Sequence, residues 1–115
     1  MSQKTVVITG STKGIGKGYA KEFLNRGVNV VIAGRTQLSV DDALESLQGE
    51  AREGVRVAGV PCEVSDAVEV QVLWDFAKQE FDTVDIWINN AGFARSGVTL
   101  LQLTPGEIET MVNGN

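Results

Sequence analysis

The sequence predicts an α/β protein built as a doubly wound parallel sheet with strand order 3-2-1-4. Three observations carry this. Short runs rich in valine and isoleucine alternate with longer stretches of helical period. The runs are continuously apolar, as strands covered on both faces require. Each is separated from the next by enough chain for a helix, the connection that parallel neighbours need, with right-handed crossovers.

Strand one covers Thr5 to Thr9. The chain then turns through Gly10, Gly14 and Gly16 into a helix from about Ile15 to Arg26, with Ala20, Phe23 and Leu24 as its apolar stripe and Gly27 as its stop. Strand two is Asn29 to Ala33. After Gly34-Arg35-Thr36, residues Val40, Ala43, Leu44, Leu47 and Ala51 recur on one helical face, and Gly54 ends that helix. Strand three runs from Val55 to Val60. Ser65 or Asp66 caps the next helix, which carries Val70, Leu73, Trp74, Ala77 and Phe81, and Glu69 stands where a capping box places its acid. Strand four is Asp85 to Asn89. Thr104-Pro-Gly-Glu107 then reads as an N-cap, a proline at N1 and a glutamate at N3, opening a helix with Ile108, Met111, Val112 and Asn115 on one side.

The 115 residues allow one domain, residues 1–115, and an apolar fraction of 43% supplies its core. Net charge is −5 but unevenly spread: residues 1–35 hold six Lys/Arg against Glu22 alone, and residues 36–115 hold four against fourteen acids. The basic end coincides with the glycine turn, which suits a small phosphorylated ligand and not a nucleic-acid surface. A single cysteine, Cys62, and no histidine exclude an internal disulfide and leave no metal-ligand spacing. No signal peptide opens the chain, and no apolar run approaches the roughly 18 residues that would span a bilayer. A cytoplasmic chain without a membrane partner is expected.

Every glycine- or asparagine-rich turn falls at a strand's carboxyl end: Thr9–Gly16, Gly34–Thr36, Cys62–Asp66 and Asn89–Gly92. In a doubly wound sheet that rim is where ligands sit. Within the first turn Gly10 leaves the strand, Gly14 stands where a side chain would block a pyrophosphate, and Gly16 lets the helix pack closely. A P-loop aligned on Gly16-Lys17 would need glycine at Ser11 and a hydroxyl at Gly18, and both fail. An ordinary strand-to-helix turn is the remaining alternative. Lys13 and Arg35 speak against it, because both lie at strand ends where a cation accommodates a 2′-phosphate, and no acid follows strand two until Asp41. These features favour NADP(H) over NAD(H).

The glycine turn combined with Asn89-Asn-Ala-Gly92 resembles the short-chain dehydrogenase/reductase family, and the resemblance covers the whole chain. It implies a Rossmann-like fold and a dinucleotide partner. Gly10, Gly14, Ile15 and Gly16, with Ser11 and Thr12 between them, match the family's pyrophosphate turn. Lys13 and Arg35, with Thr36 beside them, match its NADP-preferring members. Asn89, Asn90, Ala91 and Gly92 match the motif near the adenosine ribose. Glu63 falls where the family has an aspartate contacting the adenine amine, and Val64 adds backbone contacts. Met111-Val-Asn-Gly-Asn115 resembles the segment whose last asparagine holds a proton-relay water. This makes Asn115 the matching residue, with Asn113 its rival if the register slips by two.

The family's chemistry implies hydride transfer between a nicotinamide and a small carbonyl or alcohol substrate, using a serine, a tyrosine and a lysine four residues after it. A tyrosine titrating near ~10 needs such a neighbour to act at neutral pH. The only tyrosine is Tyr19, and Lys21, two residues after it, has the wrong spacing. The chain therefore reads as the amino-terminal, cofactor-binding portion of the family fold. An exposed apolar patch along strand four and the final helix is expected, marking a complementing segment, a homo-oligomer surface or an incomplete product. The alternative reading is a complete, non-catalytic nucleotide-binding or partner-interaction module.

Overall fold

The strand-forming runs send apolar side chains to both faces and so need covering on both. The computed structural model describes residues 3–90 and the backbone of strand 101–103. In chain order the elements are β1 (Thr5–Ile8), α1 (Gly14–Asn25), β2 (Asn29–Gly34), α2 (Gln37–Leu47), a 3₁₀ turn (Gln48–Glu50), β3 (Val57–Pro61), α3 (Ala67–Phe81), β4 (Ile86–Asn89) and β5 (Leu101–Leu103). They form one sheet of order β3-β2-β1-β4-β5, with the first four strands parallel, so the expected 3-2-1-4 order and fold class hold.

Alternation along β1 and β2 divides the core in two. Val6, Ile8, Val30 and Ile32 pack with Ala20 and Leu24 of α1 and Val40, Ala43 and Leu47 of α2. Val7, Val31 and Ala33 turn the other way, to Leu73 and Ala77 of α3 and to Trp87 of β4. Each fully buried Val or Ile contributes about 1.5–3 kcal/mol relative to exposure, so the two layers together hold β1 at the centre. Because β1 is central, the turn that leaves it is anchored from both sides.

Helix ends follow the local chemistry. Gly27 adopts φ +85° after α1, the left-handed geometry of a helix stop. Asp66 caps α3, accepting from the amides of Val68 and Glu69 at 2.9 and 3.4 Å. The Glu69 carboxylate does not return that bond as a capping box would. It accepts from the amide of Glu63 at 2.7 Å and ties the end of β3 to α3.

Three other expectations are corrected. The second helix ends at Leu47 and tightens into the 3₁₀ turn, short of Ala51 and Gly54, where Gly49 gives the helix little reason to continue. Strand three begins at Val57, leaving Val55 buried in the preceding loop. Strand four is not a bare apolar edge: β5 pairs with it antiparallel, Trp87 against Leu103 and Asn89 against Leu101, and Trp87 is fully buried. The final helix from Thr104, with the remainder of the expected apolar patch, lies outside the described residues.

Candidate functional site

The turn after β1 begins with a hydrogen-bond clamp. Ser11, fully buried, donates from its hydroxyl to the carbonyl of Ile8 at 2.6 Å and accepts from the amide of Ala33 at 3.0 Å. Its own amide donates to the Ala33 carbonyl at 3.0 Å. Ser11 thus fixes the loop to β2, and its side chain is turned away from any ligand. On the opposite side the Thr9 hydroxyl accepts from the amide of Asn90, and the Asn90 side-chain amide donates to the Gly10 carbonyl, both at 3.0 Å. The asparagine after β4 therefore ties neighbouring strand ends together.

Glycine is required at specific points of this turn. Gly10 and Gly14 have φ of +61° and +63°, a region that side chains strain to reach. At Gly16 an added Cβ would collide with the Gly10 carbonyl oxygen and lie 2.6 Å from the Asn90 amide nitrogen. At Gly14 the direction of a Cβ is empty for 4 Å, so the absent side chain leaves open space over the helix start.

That helix start is electrically unfinished. Thr36 and Asp66 cap α2 and α3 with their side chains, whereas Lys13 at the N-cap of α1 makes no side-chain cap and the first turn holds no acid. Free amides and the positive end of the helix dipole thus face the opening above Gly14, a setting that attracts a phosphate. Lys13 and Ile15 are exposed beside it, Ile15 at 50%, and Thr12 is half-buried. Among the described residues the Lys13 ammonium makes no ion pair.

The neighbouring strand ends complete the rim. Arg35 follows β2 and is highly exposed, and Thr36 beside it uses its hydroxyl to accept from the amide of Ser39. Pairing of Gly34 with Pro61 brings Arg35 alongside the end of β3, where the Arg35 Nε stands 3.9 Å from the Glu63 carboxylate. A carboxylate thus stands beside Arg35 in space, although none follows it in sequence until Asp41. Val64 is half-buried against the α3 side of the core, and Asn89 accepts from the Trp87 indole at 3.0 Å. Ala91, Gly92, Asn113 and Asn115 lie outside the described residues.

Sequence reasoning missed the Arg35–Glu63 pair and the inward turn of Ser11. Strand order carried a signal for the first, since order 3-2-1 places the residues after β2 and β3 side by side. The second had none, because a serine in a glycine turn points equally well to ligand or to backbone.

Cys62 is buried, and burial together with Glu69, Glu63 and Asp66 pushes its thiol up to about 11. The folded chain then favours the protonated thiol, so this contribution to stability is complete below the unfolded value near 9 and is lost as pH rises through about 11. The expected result is negligible alkylation of Cys62 by iodoacetamide at pH 8 in the native chain and full alkylation in denaturant, read by mass spectrometry. From Gly14 a groove of about 280 Å³ runs between α1 and α2, lined by residues that include Lys17, Lys21, Ser46 and Glu50. Among the described residues no group of His, Cys, Asp or Glu could hold a metal ion, and no helix is long and apolar enough to cross a membrane.

A parallel 3-2-1-4 sheet whose central strand feeds an uncapped glycine turn, with an asparagine clamp from β4, defines a class: this chain belongs to the short-chain dehydrogenase family, whose model matches residues 4–115. Among individual proteins, it is 49% identical over 87 residues to chlorophyll(ide) b reductase NOL, chloroplastic, of Oryza sativa subsp. japonica, covering 76% of this chain and 25% of that protein. Among solved structures it is similar to F189W actinorhodin polyketide ketoreductase with NADPH, at TM-score 0.73 and 27% identity over 80% of this chain and 35% of that one. It is also similar to a short chain dehydrogenase/reductase from Burkholderia phymatum in complex with NAD, at TM-score 0.67 and 29% identity over 75% of this chain and 30% of that one. The chain spans between about a quarter and 45% of the length of the curated relatives it matches.

Proposed function

We propose that this chain is the NADP(H)-binding portion of a short-chain dehydrogenase/reductase that transfers hydride between a nicotinamide and a carbonyl or alcohol. The observation that carries the reading is the uncapped start of α1 beneath the side-chain-free opening at Gly14. Gly10, Thr12, Gly14, Ile15 and Gly16 would seat the pyrophosphate through backbone amides, with Ser11 and Asn90 holding the turn in shape. Lys13 and Arg35, with Thr36 at the start of α2, would take the 2′-phosphate. Glu63 and Val64 would border the adenine and Asn89 and Asn90 the ribose, with Ala91 and Gly92 assigned to the ribose by resemblance alone. When bound, the nicotinamide supplies the hydride, and this chain's part is to bind and orient the dinucleotide.

Proton transfer to the substrate is assigned elsewhere. The single tyrosine, Tyr19, packs along α1 against the core, away from any Tyr-x-x-x-Lys spacing. Turnover then needs a serine, a tyrosine and a lysine from a continuation of the chain or from another chain, and Asn115, or Asn113 in the other register, would hold the relay water as the resemblance implies. The test is an equilibrium titration with NADPH and with NADH, followed by dinucleotide fluorescence. Saturable binding with NADPH the tighter ligand is expected, and no saturable binding of either would overturn the reading.

A further inference from the structure

The contact between Arg35 and Glu63 joins the two strand ends that border the 2′-phosphate position, and Arg35 makes no other ion pair among the described residues. Its geometry is loose. The Nε to Oε2 separation is 3.9 Å, and the two side chains are 83% and 46% exposed. An exposed pair at that distance is weak and exchanges readily for a better anion.

The backbone beneath Glu63 is firmly placed. The Cys62 amide donates to the Gly34 carbonyl at 2.8 Å, and the Glu63 amide donates to the Glu69 carboxylate at 2.7 Å. The glutamate side chain extends from this fixed backbone toward Arg35. The acids gathered at this strand end, Glu63, Asp66 and Glu69, also create a negative field, felt by the buried Cys62 thiol.

We propose that Glu63 is a specificity-determining residue: its carboxylate competes with the cofactor's 2′-phosphate for the Arg35 guanidinium. The proposal rests on the dinucleotide reading above. A 2′-phosphate bound at Arg35 would draw the guanidinium away from the Glu63 carboxylate. NAD(H) has no 2′-phosphate and leaves the pair intact. Arg35 thus draws the site toward the phosphorylated cofactor while Glu63 restrains that draw, and the preference is set by the pair. This role differs from an adenine contact, which NADP(H) and NAD(H) would feel alike.

The test measures dissociation constants for NADPH and NADH in the original protein, Glu63→Gln, Arg35→Ala and the double variant, at low ionic strength. Glu63→Gln keeps the shape and removes the charge, and is expected to raise the NADPH-over-NADH preference about threefold, the scale of an exposed ion pair. In the Arg35→Ala background the same change is expected to leave the preference unaltered, and added salt to shrink the effect in the original background. Glu63→Asp, with its carboxylate drawn back by one methylene, is expected to fall between. Equal weakening of both cofactors by Glu63→Gln, an unchanged ratio, or the same shift without Arg35 would overturn the proposal while dinucleotide binding stands. Failure of the original protein to bind either cofactor would instead bring down the reading beneath it.

Discussion

Valine at Gly16 is expected to remove dinucleotide binding and to destabilise the chain by about 1–3 kcal/mol, the usual cost of forcing extra atoms into a packed site. The atoms that would be struck explain the size. One is the carbonyl oxygen of Gly10, a backbone group that cannot rotate away; another is the Asn90 side-chain amide, already hydrogen-bonded to that carbonyl. Relieving the clash means shifting the turn against Ser11, which is fastened to β1 and β2. Alanine at Gly16 introduces the same Cβ and is expected to lose at least tenfold in affinity, about 1.4 kcal/mol. Gly18, one residue pair further along α1, is the control. A Cβ there meets no atom within 4 Å, and Gly18→Ala is expected to stabilise by about 0.5–1 kcal/mol, as a glycine-to-alanine change in a helix does. Urea denaturation reads the stability and fluorescence titration the affinity.

Arg35→Asp is expected to weaken NADPH binding by about 10- to 100-fold, the range for losing hydrogen bonds to a charged group, and to leave NADH binding unchanged or tighter. The substitution withdraws one of two cations at the rim and leaves a new acid beside Glu63, so a 2′-phosphate would face two carboxylates with only Lys13 to offset them. The same acids can accept from free ribose hydroxyls, the arrangement that favours the unphosphorylated cofactor. Parallel titrations with both dinucleotides separate this from general damage to the fold. Equal losses for NADPH and NADH would place Arg35 in the scaffold and remove it from cofactor choice.

The parts of this fold legible in the sequence are those governed by local rules. Val6-Val7-Ile8 and Val30-Val31-Ile32 are continuous apolar runs, and each is buried on both faces at the centre of the sheet. Asp66 capped its helix, and Gly27 stopped one, because both effects act within a few residues. The glycine turn was legible for the same reason: steric need at Gly10, Gly14 and Gly16 is written in residue type.

What escaped depended on partners that no capping or periodicity rule names. Glu69 looked like the second half of a capping box but found a closer donor in the Glu63 amide, which only the return of the chain from β3 supplies. Arg35 looked unopposed because its neighbours in sequence are neutral, while its neighbour in space is Glu63. The strand Leu101–Leu103 carried no strand signal of its own, since it is short and gains its place from the open edge of β4.

An amide-resolved NMR titration with NADPH tests directly whether the start of α1 is a pyrophosphate seat. The largest shifts are expected at the amides of Lys13, Gly14, Ile15 and Gly16, with smaller ones at Asn90 and Arg35, all saturating together. Saturating shifts confined to the groove between α1 and α2, at Lys21, Ser46 and Glu50, with the glycine turn unmoved, would contradict it.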